Sequence, residues 1–212
     1  MEGWTVTDGL FTDQFLERVQ TLIGRHHTIY PLLPPQGIFF EALVERAFLM
    51  SGRDRASVIP SSTNSPWHDL LVGDIKLSIK SETGKITRVR HISITKLCTT
   101  ETGEWNATAL VKHAIDHLGR HDRMLMLRAI WGKLSFRYQL VDIPLSLLKK
   151  LDTAQFAEVG KRAGRKSLGG DVIEGGETLF HVHFDGADGK CQVRHLPLER
   201  CVILREWEQP FP

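Results

Sequence analysis

The chain has 212 residues, 42% hydrophobic and 25% charged, with 27 Lys+Arg against 25 Asp+Glu. That composition is globular; it excludes disordered, collagen-like and coiled-coil classes, and the length suits a single domain, 1–212, with a substantial core. No apolar run approaches the ~20 residues of a membrane span, so no membrane partner is expected.

Met1-Glu2-Gly3-Trp4 lacks a basic segment leading into an apolar stretch, and Cys98, Cys191 and Cys201 are odd in number and widely spaced. Both features predict free thiols in the cytoplasm. Charge is unevenly placed: residues 1–75 carry 5 basic and 9 acidic side chains, 76–166 carry 18 and 8, and 167–212 carry 4 and 8. A positive middle between acidic ends suits a surface that meets a polyanion while carboxylates serve another task.

In chain order, Phe15, Leu16, Val19, Leu22 and Ile23 form an apolar stripe that predicts a helix from about Thr12 to Ile23, stopped by Gly24. Pro34-Pro35-Gln36-Gly37 opens a second, over 37–50, with Phe40, Leu43, Val44, Ala47 and Phe48 inward. Glu41 and Glu45 are four apart and share one side of it. Asp69-Leu70-Leu71-Val72 reads as a short strand and Gly73-Asp74 as a tight turn. In the next strand Ile75, Leu77 and Ile79 alternate with Lys76, Ser78 and Lys80 on the polar face.

Another strand is expected over 86–95. Asn106 should cap a helix running to Gly119, with Leu110, Val111, Ala114, Ile115 and Leu118 inward. Strands follow near 123–131 and 134–142, then a helix over 144–159 and a basic, Gly-rich loop over 161–170. Strands near 178–184 and 191–204 close the chain. Helices around a central mixed sheet make the fold class α/β or α+β.

The chemistry is concentrated between residues 67 and 82. An Asp before a hairpin and a Lys on the following strand bring a carboxylate and an ammonium together. Phosphodiester hydrolysis at neutral pH calls for hard divalent cations held by oxygen ligands, beside a cation that orients water or balances transition-state charge. No GxGxxG or GxxxxGK[ST] is present, so no nucleotide cofactor is expected. His113, His117 and His121 are spaced by four, but without an HExxH glutamate they read as polar residues at a helix boundary.

Pro66-x-x-Asp69, the spacing Asp69-x8-Ser78-x-Lys80 and the upstream helix from Gly37 to Glu45 resemble the PD-(D/E)xK nuclease superfamily, in particular type II restriction endonucleases. The resemblance spans about residues 37–204 and is motif-like over 37–82. It implies a restriction-endonuclease-like fold in which Asp69 and Lys80 are catalytic. Two residues before the lysine, where the family carries a second acid, this chain has Ser78. Glu41 is the preferred substitute, with Asp74, Glu82 and Glu45 as alternative acids. Asp74-Ile75-Lys76 is a second literal match, placing Lys76 as the rival lysine.

The resemblance further implies Mg²⁺, with Mn²⁺ substituting, held by Asp69, Glu41 and the carbonyl of Ile79, and double-stranded DNA cut at a palindromic site by a homodimer. Residues 1–50 are the candidate dimer contact, 66–142 the catalytic sheet, and 160–204 the DNA-contacting loop and C-terminal strands. Arg162, Arg165, Lys166 and Ser167 are the candidate DNA contacts in the loop, and His181 and His183 on a polar strand face. Two other readings stay open: a repair or nicking nuclease of the same superfamily, and a DNA-binding module whose site decayed at Ser78.

Overall fold

A computed structural model describes residues 9–61, 68–99, 104–160 and 165–211. Along the chain run α1 (Asp13–Ile29), α2 (Ile38–Met50), β1 (Val58–Pro60), β2 (Leu70–Val72), β3 (Ile75–Glu82), β4 (His91–Thr99) and α3 (Ala107–Leu118). Then come β5 (Arg123–Trp131), β6 (Ser135–Asp142), α4 (Leu145–Lys149), β7 (Gln155–Val159), β8 (Ser167–Glu174), β9 (Glu177–Phe184), β10 (Lys190–Pro197) and β11 (Val202–Pro210). They form an α+β architecture of two compact units, with the chain passing between them at Thr87/Arg88, Arg120/His121, Ile143/Pro144 and Arg200/Cys201. Among the described residues no helix is long and apolar enough to cross a membrane.

The first unit holds a mixed six-stranded sheet in the order β1-β2-β3-β5-β6-β11. Its β3 and β5 are parallel and its other pairs antiparallel. Phe15, Val19 and Ile23 of α1 and Phe40, Val44 and Phe48 of α2 share one buried cluster with Leu77, Ile79, Leu125, Leu127, Phe136 and Tyr138 of the strands. The Phe15 and Phe48 rings stack at 4.1 Å. Thr12 starts α1 by accepting the Phe15 N–H on its hydroxyl. The helix passes the expected stop at Gly24 and continues to Ile29. Gly24 is an interior helix residue there, and a β-carbon on it would meet the Gln209 side chain of β11 at an ordinary contact distance of 3.5 Å.

The second unit holds an antiparallel sheet in the order β4-β10-β9-β8-β7, with α3 and α4. Asn106 caps α3 as expected, accepting the Ala109 N–H, and Leu110, Ala114 and Leu118 are its buried residues.

Four expectations about elements are corrected. The predicted helix over 144–159 is α4 followed by a 3-10 turn at Lys150–Thr153 and then β7, because the edge of β8 is available to pair with Gln155–Val159. The Gly-rich stretch is strand from Ser167 onward. Gly170 marks tight packing, since a β-carbon there would lie 2.9 Å from the Gln155 carbonyl and 3.0 Å from the Phe156 ring. The strand expected over 191–204 is two: β10 in the second sheet and β11 in the first, separated by a 3-10 turn at Leu198–Arg200. The strand expected over 86–95 is β4, at His91–Thr99, and it pairs with β10.

Burial also departs from simple alternation at two points. Ser78 is wholly buried rather than on a solvated face, and its hydroxyl is taken up by the Asp69 carboxylate. Leu134 precedes β6 and is exposed.

Candidate active site

Val72 pairs with Ile75 across a two-residue turn in which Gly73 takes φ 62, a conformation that suits glycine. This hairpin sets Asp69, just before β2, opposite the middle of β3. The Asp69 N–H donates to the Leu77 carbonyl at 3.0 Å. Because β2 begins only at Leu70, no strand residue of β2 pairs with β3 beyond Leu77. The Asp69 carboxylate fills that role: its Oδ2 accepts the Ile79 N–H at 2.6 Å and the Ser78 hydroxyl at 3.3 Å. Lys80 Nζ is 3.7 Å from the same oxygen, and both side chains are partly buried.

Glu41 enters from the first turn of α2. The start of that helix is tied to the end of β3: the Gly37 N–H donates to Ser81 Oγ at 3.4 Å, and the Thr83 hydroxyl donates to Gln36 Oε1 at 3.3 Å. The Glu41 carboxyl is held above the usual glutamate range, first by burial and then by the Asp69 charge, with the Lys80 ammonium acting against them. Helix, hairpin and strand therefore bring Glu41, Asp69 and Lys80 into one electrostatic group.

The other candidate acids are placed differently. Glu45, one turn further along α2, is ion-paired with Arg55 at 2.5 Å. Asp74 is exposed in the turn, at the opposite end of the hairpin from Asp69. Glu82 is buried and held by Arg128 Nε at 2.8 Å, its neighbour in the parallel β3–β5 register. Arg128 Nη1 donates to Gln139 Oε1 at 2.6 Å, and Gln139 Nε2 donates to Glu206 Oε2 at 2.5 Å. Lys76 points to solvent, while its backbone exchanges hydrogen bonds with Asp122 at 2.8 and 2.9 Å.

The donor set suits a hard divalent ion: two carboxylates, one of them resisting ionisation beside the other, and the Ile79 carbonyl. An extended residue presents its N–H and C=O to the same strand edge, so the Ile79 carbonyl lies on the Asp69 edge of β3. Among the described residues no group of three His, Cys, Asp or Glu side chains gathers as a metal cage. A Mg²⁺ ion, which keeps several waters, needs no such cage. Sequence reading missed the Ser78–Asp69 hydrogen bond and the Arg128 network; the signal for the second was an arginine inside the apolar run of β5.

Pro66 of the motif lies outside the described residues, as does Arg162 among the candidate DNA contacts. Arg165 lies over the Trp105 ring at 4.0 Å and donates from Nε to the Gly186 carbonyl at 2.8 Å. Ser167 Oγ accepts the Gly186 N–H at 3.0 Å, and the Lys166 carbonyl accepts Trp105 Nε1–H at 2.6 Å. Arg165 and Ser167 thus help fasten the second unit. His181 and His183 are half-buried on β9.

The α+β fold with its mixed central sheet is consistent with a restriction-endonuclease-like architecture. The family model for SmaI, type II site-specific deoxyribonuclease, matches residues 4–209. A type II restriction enzyme SmaI from Serratia marcescens is 30% identical over 211 residues, covering 96% of this chain and 83% of the relative. No solved structure matches significantly. The chain belongs to the SmaI family of type II site-specific deoxyribonucleases, and it is a restriction endonuclease acting on DNA.

Proposed function

We propose that the chain cuts both strands of duplex DNA at a short palindromic site, as a cytoplasmic homodimer dependent on Mg²⁺, with Mn²⁺ able to substitute. The observation that carries this reading is the convergence on Asp69 Oδ2 of the Ile79 N–H and the Lys80 ammonium, with Glu41 in electrostatic reach. Glu41, Asp69 and the Ile79 carbonyl would hold the cation, which would supply charge neutralisation at the scissile phosphate, a more acidic water and stabilisation of the leaving oxygen.

Lys80, kept in place by the Asp69 charge, orients the attacking water and balances charge as it builds on the phosphoryl oxygens. Attack in line with the P–O3′ bond forms a bond from water oxygen to phosphorus and breaks the bond to O3′. The products are a 5′-phosphate and a 3′-hydroxyl, without a covalent enzyme intermediate. Ser78 hydrogen-bonds Asp69 and Glu41 supplies the second charge. Lys166 contacts backbone phosphate.

Two strands of opposite polarity call for two identical sites related by a two-fold axis. The end of α1, the connection and the start of α2 support a self-association surface: Ile29, Tyr30, Leu32, Leu33, Ile38 and Phe39 are all exposed there. Plasmid DNA incubated with the wild-type chain and Mg²⁺ should be cut at fixed positions and left intact in EDTA. Lys80→Ala and Asp69→Asn should both lose cutting; normal cleavage by either would remove the assignment of the site.

A further inference from the structure

The five-stranded sheet of the second unit has one apolar and one polar face. Phe180, Val182, Phe184, Val193 and Ile94 are buried on the apolar face. On the other, Asp171 pairs with His181, and His181 pairs with Arg194, so these side chains stand side by side. The ladder between β10 and β4 breaks register between Val193 and Leu196. In that bulge His195 takes φ 60, and among the described residues it alone is a non-glycine at positive φ. A β-carbon disfavours this conformation, and such outliers concentrate at functional sites.

The bulge places the His195 ring 6.2 Å from that of His91, edge to face. The charged groups acting on His195 are Arg88, His91, His181 and Arg194. Arg88 and Arg194 are permanently charged, so the cluster carries positive charge of the kind that suits a polyanion, with Asp171 offsetting part of it at His181.

Two members are held in fixed orientation. His181 Nδ1 lies 2.9 Å from Asp171 Oδ1. Its ring lies over Gly169, where a β-carbon would come within 3.3 Å of Cε1 and Nε2. Arg194 Nη2 donates to Gln192 Oε1 at 2.6 Å. Contact with phosphate tolerates swinging side chains, whereas reading base edges requires donors in set positions.

We infer that this polar face is the base-reading surface of the endonuclease, with Arg194, His195 and His181 as specificity-determining residues that meet base edges in a DNA groove. The inference rests on the chain being a sequence-specific endonuclease. The bulge re-aims His195 out of the strand ladder toward the duplex.

The test uses a pool of duplexes with randomised central base pairs, incubated with the full chain and Ca²⁺ in place of Mg²⁺. Wild type should enrich one sequence. Arg194→Ala and His195→Gly should lose preference at particular base pairs, with affinity for the selected duplex falling about 10- to 100-fold. Affinity for an unrelated duplex should stay within about threefold. Glycine accepts the positive φ without penalty, so His195→Gly should melt no lower than wild type, which separates a reading role from a structural one. Equal losses on both duplexes, unchanged preference in both variants, or no enrichment by wild type would overturn the inference. Cutting with Mg²⁺, and its loss in Lys80→Ala, reports separately on the active site, so the reading face can fail while the nuclease assignment stands.

Discussion

Asp69 Oδ2 accepts the Ile79 N–H at 2.6 Å, so the motif's acid also pins the strand that carries Lys80. Asn at this position retains one acceptor oxygen and loses the charge. Asp69→Asn should therefore keep a melting temperature close to that of wild type while cleavage falls at least about 100-fold. Millimolar Mg²⁺ should raise the melting temperature of wild type and not of the variant. A variant that still cuts, or still gains stability from Mg²⁺, contradicts the assignment of Asp69.

Ser78 occupies the position of the family's second acid, yet it is wholly buried and 3.3 Å from Asp69 Oδ2. A carboxylate introduced there would be a second buried negative charge against the first. Ser78→Asp should cost about 3–5 kcal/mol and should not rescue Glu41→Gln. Denaturant midpoints and plasmid cleavage on the double variant check both statements; rescue would show that a carboxylate buried at position 78 can serve in place of Glu41.

Glu82 and Arg128 form an ion pair that is almost completely buried. Removing one partner leaves the other charged in a low-dielectric interior. Arg128→Met should cost about 3–5 kcal/mol, a fall in melting temperature on the order of 10 °C. Glu82→Gln should also destabilise, yet its folded fraction should cut at a near-normal rate per molecule. Loss of cutting in folded Glu82→Gln would return Glu82 to the list of metal ligands.

His27 links pH to stability. Its Nδ1 faces the carbonyls of Tyr30 at 3.2 Å and Pro31 at 3.0 Å, so Nδ1 carries the proton and Nε2 accepts from the Tyr138 hydroxyl at 2.8 Å. Burial is the largest influence on the ring and holds its pKa below the ordinary 6.5. The unfolded chain then binds the extra proton first, so the contribution is complete above about pH 6.5 and is lost as pH falls through the folded-state value. The stability gap between wild type and His27→Gln should be larger at pH 8 than at pH 5. Equal gaps in urea midpoint at the two pH values would refute this.

Leu33 in the connection between α1 and α2 and Phe39 in the first turn of α2 are exposed apolar residues, 52% and 58% accessible. A charge placed in a self-association surface of this kind is left desolvated and unpaired. Leu33→Asp and Phe39→Asp should convert a dimer to a monomer by sedimentation while leaving the melting curve of the unit cooperative. An unchanged mass in both variants would move the dimer contact elsewhere.

Much of this molecule was legible from local pattern. The stripes of α1, α2 and α3, the start of α1 near Thr12, the cap at Asn106, and the Gly73-Asp74 hairpin depend on neighbours within a few residues. The failures were those of context. Residues 155–159 carry a helix-compatible composition but lie beside an open strand edge, and the glycines at 169 and 170 pack under side chains rather than loosen a loop.

For the site, the sequence by itself determined the spacing of Asp69 and Lys80 across a short hairpin, because strand periodicity and a two-residue turn leave little freedom. Only the tertiary structure decided which carboxylate joins them. Glu41 approaches because α2 is tied to the end of β3, and Glu82 is withdrawn because the parallel neighbour β5 supplies Arg128. The physical reason is that a carboxylate's role follows from the charges nearest it in space, and those charges come from strands and helices distant in the chain.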